Sequence, residues 1–412
     1  MIQTIIGRKF RCIFSSSVLS AMGDSAFNTA LLYVVAGFAH EGVAIGTIGL
    51  VGSLPAMLFG SKAGILSDRW PLKRILMACD VLRALLLVPL LFLSLRQQIV
   101  VLALVVFAGS SVTQIFNVAV ARGIPEWVPK NQLMASNASL SVSRDGARIL
   151  GPLLGGFLIQ QAGFGVVVWV DLLTFIGSAI LTIGVPIGGL IGKSKASDRP
   201  KESSEPGGRR WAESWHYMRT VPFYRLLLAV AAMEGFAMGV QSVLIVIFLR
   251  DIRHYGALLY GTINSVRAAG SFISGLVWGT WGQRTASRYL ITSGGCLAGV
   301  SLGVAATATT TPIAVISWLT FGFSVTTSFL GQRVLLQERV PSTMRGQLIG
   351  FSRNANGVFL VVGRLVGVAA STGVASLAAL GTCTILWTLT GLAGSRISRD
   401  EYPVANEQNI GW

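Results

Sequence analysis

Apolar runs of about 20 residues recur from one end of the chain to the other, each long enough to cross the roughly 30 Å hydrocarbon layer of a bilayer as a helix. In lipid every backbone polar group must be satisfied internally, so such runs fold as bundles of spanning helices or not at all. The alternation in segments of about 10 residues that marks a membrane β-barrel is missing. Only 12% of the side chains are charged, against about 25% in soluble proteins, and the mean hydropathy is +0.65. The sequence therefore predicts an all-α polytopic membrane protein.

Spans are expected near 14–38, 43–66, 75–95, 99–121, 132–160 and 164–187, then 223–249, 256–281, 286–308, 312–335, 345–371 and 374–395. A net charge of +16 would point to nucleic acid in a soluble protein; here the position of the basic residues decides. Arg8, Lys9, Arg11, Arg69, Lys73, Arg74, Arg122, Lys130, Lys193 to Arg210, Arg284, Arg288, Arg339, Arg345, Arg396 and Arg399 fall in alternate loops, and the opposite loops hold little beyond Arg96, Arg250 and Arg253. By the positive-inside rule both termini are expected in the cytoplasm, which requires an even number of spans, and twelve satisfies it. The expected setting is a bacterial cytoplasmic membrane, with the lipid bilayer as partner and no nucleic acid. The first apolar run is too long for a signal-peptide core and is expected to stay as span 1. Cys12, Cys79, Cys296 and Cys383 are scattered singly and His40, His216 and His254 are dispersed, so no metal site or cofactor is expected.

The one long polar stretch, 188–222, divides the spans six and six. The expected organisation is a half at 1–187, a cytoplasmic linker at 188–222 and a half at 223–412. Trp211, Trp215 and Met218 near the linker's end share one helical face, which suits a short amphipathic helix on the inner membrane surface. A repeat supports the division. "PEWVPKNQLMASNASLSVSRD" stands between spans 4 and 5 and "QERVPSTMRGQLIGFSRN" between spans 10 and 11, so Glu126 matches Glu338, Pro129 matches Pro341 and Arg144 matches Arg353.

"GILSDRWPLKR", with Gly64, Leu66, Asp68, Arg69, Lys73 and Arg74, resembles the signature between spans 2 and 3 of the major facilitator superfamily. "RILGPLLGG", Arg148 to Gly156, is similar to the Gly-Pro motif of that family's antiporters. The resemblance covers essentially the whole chain and is nearest to the twelve-span branch of macrolide and siderophore exporters. It implies a twelve-helix transporter whose halves rock around a central cavity. It also implies a cytoplasmic gate in which Asp68 closes on the second half, Arg69, Lys73 and Arg74 face phosphates or acidic partners, and Glu126 and Glu338 supply such partners. Gly151, Pro152, Gly155 and Gly156 would bend span 5 and admit its neighbours. The family's usual span 4 relay arginine is replaced here by Ala108-Gly109.

Ionisable residues inside a span are costly, so their default reading is functional, with a partner expected. Asp24 in span 1 and Glu234 in span 7 occupy equivalent helices and suit a proton carrier; a structural ion pair is the alternative for either. Arg144 and Arg148, with Asp145 between them, share a face of span 5, and Arg267 and Arg353 lie in spans 8 and 11. These arginines either pair with Asp24 or Glu234 or bind an anionic substrate. Asp80 and Arg83, at helical spacing in span 3, read as a structural pair, and Asp171 in span 6 has no evident partner in the sequence.

No H-E-x-x-H, G-x-S-x-G or phosphate-loop pattern occurs, which argues against an enzyme. The leading expectation is a monomeric secondary transporter exporting a small amphipathic molecule, with protons as coupling ion. A carrier of an anionic metabolite or lysolipid, and a non-transporting membrane receptor, are the alternatives.

Overall fold

The computed structural model describes residues 8–37, 43–55, 70–92, 99–129, 133–183, 220–281, 286–339, 345–371 and 373–396. Among them every regular element is helical, and twelve helices follow one another along the chain. They are α1 (Arg8–Val35), α2 (Val43–Pro55), α3 (Leu72–Leu87), α4 (Ile99–Trp127), α5 (Leu133–Ala162) and α6 (Phe164–Ile183), then α7 (Pro222–Ile247), α8 (Ala257–Trp281), α9 (Ser287–Thr307), α10 (Thr311–Arg339), α11 (Arg345–Ala369) and α12 (Gly373–Ser395). Pro89 lacks the N–H that would continue α3, so Val88 N–H turns back to the Leu85 carbonyl at 3.2 Å and one further turn, Pro89–Phe92, follows. The end of α7 widens into a π-helical turn at Phe248–Ile252.

Eight helices, α1, α3, α4, α6, α7, α9, α10 and α12, are both long and apolar enough to span a membrane. The 30-residue α5 and the 25-residue α8 and α11 are long enough but fall short in hydropathy. Those three carry Arg144, Asp145, Arg148, Arg267, Arg353 and Arg364, together with many Ser, Asn and Gly. Large apolar side chains such as Leu104, Leu173, Ile180, Val300, Ile316 and Ile385 are exposed. An apolar exterior of this kind suits lipid contact.

The helices divide into two compact units: the described residues up to α6 together with 246–265, and the remainder. In the first, α1 packs on α5 and α6 while α3 packs on α4 and α6. Its core joins Phe10 and Ile13 of α1, Leu72, Ile75 and Leu76 of α3, Phe116, Val120 and Ile124 of α4, and Leu140 of α5. In the second, α9 packs on α10 and α12. Its core joins Phe223, Tyr224, Leu227 and Val230 of α7, Ile291 of α9, Leu335 and Leu336 of α10, and Leu348 of α11, with the Tyr224 hydroxyl donating to the Leu348 carbonyl. Each helix of the second core is the one six places after its counterpart in the first. The repeat read from the two Glu-x-Val-Pro segments thus has a parallel in packing.

Candidate functional site

The first unit encloses a network of ionisable side chains at mid-helix. The i,i+3 spacing of α3 puts Asp80 and Arg83 on one face, and Arg83 Nη2 donates to Asp80 Oδ1 at 2.5 Å. Arg83 Nη1 reaches Asp24 Oδ2 of α1 at 3.4 Å. Ser178 Oγ of α6 donates to the second Asp80 oxygen at 2.6 Å, and Ser16 Oγ of α1 stands 2.7 Å from Ser178 Oγ. The guanidinium carbon lies 4.4 Å from the ring centres of both Phe116 on α4 and Phe175 on α6. A planar cation between two aromatic faces is attracted by both and held in orientation. The side chains of Asp80 and Arg83 are 0% and 3% exposed, whereas Asp24 is 38% exposed. Arg83 is therefore anchored on Asp80 and loosely extended toward Asp24. Asp171 of α6, 2% exposed, lies within electrostatic reach of both Asp24 and Arg83. Two carboxyl groups contact one guanidinium, and a third lies within its electrostatic reach.

The second unit encloses a single carboxyl. Glu234 of α7 is 0% exposed; Ser328 Oγ donates to its Oε1 and Gln332 Nε2 to its Oε2, each at 2.6 Å. Ser328 and Gln332 are one turn apart on α10. Among the described residues no cation pairs with Glu234. α9, the counterpart of α3 in chain order, presents Gly295 and Gly299 to α12, so the second unit has close helix packing there in place of an ion pair.

The α5 arginines do not supply the pair for Asp24, as α3 does so. Arg144 Nη2 reaches Asn117 Oδ1 at 3.5 Å, and Arg148 meets Asp145 at 3.6 Å with 74% of its side chain exposed, a pair of little energetic weight. Arg267 is half-buried on α8 and Arg353 is exposed on α11. Arg364 Nε donates to Ser242 Oγ at 3.3 Å. The residues expected at the gate are described only in part. Gly64, Asp68 and Arg69 lie outside the described residues, as do the Glu126 side chain and the linker tryptophans. Lys73 Nζ donates to the Ile183 carbonyl at 2.7 Å, placing a cation on the C-terminal end of α6. Arg74 is exposed, and Glu338 accepts from Ser287 Oγ at 3.0 Å, joining α10 to the start of α9.

The Gly-Pro motif sits where helices approach closely. A side chain at Gly151 would meet Ser25, and one at Gly155 the Ala26 backbone of α1. A side chain at Gly156 would meet the Ala257 carbonyl and, at 3.1 Å, the Gly261 Cα of α8. Gln160 Oε1 extends this seam by accepting from Leu258 N–H at 3.0 Å. Beyond it Arg250 stacks on Tyr33 at 5.3 Å.

Sequence reasoning missed Ser178, Ser328 and Gln332 as partners, the double engagement of Arg83, and the place of Asp171. The Asp80-x-x-Arg83 spacing was the available signal for the first network. It did not reveal that Arg83 lies against α4, the helix that carries Ala108-Gly109 in place of the family's usual relay arginine.

A family model described as Major Facilitator Superfamily matches residues 13–364. The uncharacterised MFS-type transporter YfiS of Bacillus subtilis is 23% identical over 410 residues, covering 97% of this chain and 96% of that protein. Macrolide efflux protein A of Streptococcus pyogenes is 22% identical over 365 residues, with coverages of 87% and 88%. Among solved structures, the peptide transporter POT in complex with sulfate aligns with a TM-score of 0.72 at 13% identity, covering 94% of both chains. A bacterial homologue of the iron transporter ferroportin in the inward-facing state aligns with a TM-score of 0.68 at 17% identity, covering 93% and 98%. These likenesses establish the fold.

Proposed function

Because the chain belongs to the major facilitator superfamily, we propose that it is a proton-coupled exporter of small amphipathic compounds, working by alternating access in a bacterial cytoplasmic membrane with both termini inside. The observation that carries this reading is that, among the described residues, carboxyl groups outnumber cations at both sites: Asp80, Asp171 and the partly exposed Asp24 around Arg83, and Glu234 among neutral donors. An uncompensated carboxylate in a low-dielectric interior costs several kcal/mol, so such groups exchange protons as their surroundings change. Asp24 is partly exposed and is where a proton arrives or leaves in the first unit. Among the described residues Glu234 has no counter-ion, and gaining or losing a proton is its means of changing charge. The similarity to a macrolide efflux protein favours export and an amphipathic cargo.

A second reading, an anionic metabolite or lysolipid as cargo, draws on the exposed Arg144 and Arg148 of α5. One experiment separates the two. Inside-out vesicles with an acidic lumen are offered a macrolide, a cationic dye, a catecholate siderophore or a lysophospholipid. The proposal expects macrolide or dye to accumulate with the gradient, and accumulation to be lost in Asp24→Asn and in Glu234→Gln. Accumulation of the siderophore or lysophospholipid alone, weakened by Arg144→Gln, replaces the first reading by the second. Binding without flux for any of them contradicts transport.

A further inference from the structure

Asp171 is the enclosed acid that this mechanism does not yet use. Its Oδ1 receives the Thr174 hydroxyl at 3.3 Å, but the same hydroxyl lies 2.7 Å from the Asp171 carbonyl and donates mainly there. Opposite it on α1 stands Gly23, where a Cβ would run into Asp171 Oδ1 and Thr174 Oγ1. The missing side chain lets the carboxyl rest against α1 one residue before Asp24. The other charged group within its electrostatic reach is Arg83 of α3, through which Asp80 and Cys79 of the same helix join the network. From α4 the network receives Phe116, and α6 itself adds Phe175 and Ser178. From α5 the contact next to Asp24 is Gly151 against Ser25, and the charges of that helix, Arg144, Asp145 and Arg148, interact among themselves.

One arm of Arg83 is committed to Asp80, whose second oxygen is taken by Ser178. The other arm reaches Asp24 at 3.4 Å, and Asp171 lies within electrostatic reach of both Arg83 and Asp24. We infer that Asp24 and Asp171 form a linked acid pair holding one proton between them, with Arg83 as the positioning residue and Gly23 as the opening that admits Asp171, and that the first unit carries its coupling proton on this pair and not on Asp80. The inference rests on the proton-coupled reading above. Whichever acid faces Arg83 is the ionised member and the other bears the proton, so a change at the exposed Asp24 alters the state of the enclosed Asp171. No bond other than O–H is made or broken.

The test uses the full chain in liposomes and follows the infrared C=O band of protonated carboxyl groups as the pH is stepped from about 5 to about 9. Linked acids titrate in two macroscopic steps that belong to the pair. Asp171→Asn is expected to leave one step displaced by about one pH unit from both wild-type steps. Gly23→Ala removes no carboxyl but pushes the Asp171 side chain off α1, and is expected to displace the steps as well; it carries the test if Asp171→Asn fails to fold. Loss of one step with the other unmoved, or an unchanged titration in Gly23→Ala, overturns the linked pair. A linked titration with no gradient-driven accumulation of any cargo leaves the pair standing and overturns the exporter reading.

Discussion

Replacing Arg83 by methionine removes a cation from two carboxyl groups and from two aromatic faces at once. The pair with Asp80, at 2.5 Å and 3% and 0% exposed, is of the kind whose breaking by loss of one partner costs about 3–5 kcal/mol. An i,i+3 pair on a water-facing helix would give only about 0.5 kcal/mol, so enclosure decides the size of the effect. The stacking on Phe116 and Phe175 adds about 1–2 kcal/mol per face when desolvated, partly restored by thioether contact. The Asp24 contact at 3.4 Å, with one partner 38% exposed, adds under about 1 kcal/mol. With about half of the stacking restored, a total loss of about 4–8 kcal/mol is expected. Asp80→Asn keeps the shape and the Ser178 contact while removing the charge, so the double variant is expected to recover about 2–3 kcal/mol of that loss. Unfolding in mixed micelles of increasing denaturing detergent, followed by tryptophan fluorescence, measures the cycle. A coupling energy under about 0.5 kcal/mol would mean that the two side chains are independent, and would refute the reasoning.

Glu234→Gln retains both neighbours once the Gln332 amide turns over, so its stability is expected within about 1 kcal/mol of wild type while gradient-driven transport is lost; thermal unfolding and vesicle uptake check the two halves of that statement. Gly156→Leu forces a side chain against the Ala257 carbonyl and Gly261 of α8, and a loss of about 1–3 kcal/mol by overpacking is expected in the same micelle assay. Arg250→Gln removes the cation from the Tyr33 face and lowers stability by about 1 kcal/mol, whereas Tyr33→Phe, which keeps the ring, lowers it by less; equal losses would contradict the stacking assignment.

The helices were legible because the bilayer fixes their length: from the apolar runs alone, their order and number follow. The charged helices α5, α8 and α11 give a weaker signal, since Arg144, Arg148, Arg267, Arg353 and Arg364 depress the hydropathy, and the alternation of basic loops was needed to place them. Within the site, Asp80 and Arg83 were readable as a pair because they are three residues apart on one helix. Asp24 joins them from α1 and Asp171 from α6, and a contact between helices so far apart in sequence leaves no mark in periodicity. The same limit hid Ser328 and Gln332: two neutral residues on α10 looked like ordinary helix polarity, and a cation was the expected partner for Glu234. Pairing of Asp24 with α5, one of the two roles weighed for those arginines, was open for a related reason, and Asp24 meets Arg83 of α3. Arg144 and Arg148 share one face of α5 with Asp145, and that local pairing is one that sequence spacing alone displays.

The claim that matters most is that cargo and protons move in exchange. Proteoliposomes holding a trapped pH-sensitive dye, with cytoplasmic faces outward and no imposed gradient, are given a macrolide from outside. The account predicts that macrolide entering the lumen drives protons out, so that the lumen turns alkaline in wild type and stays unchanged in Glu234→Gln. Macrolide entry at the wild-type rate with no change in lumenal pH would contradict it.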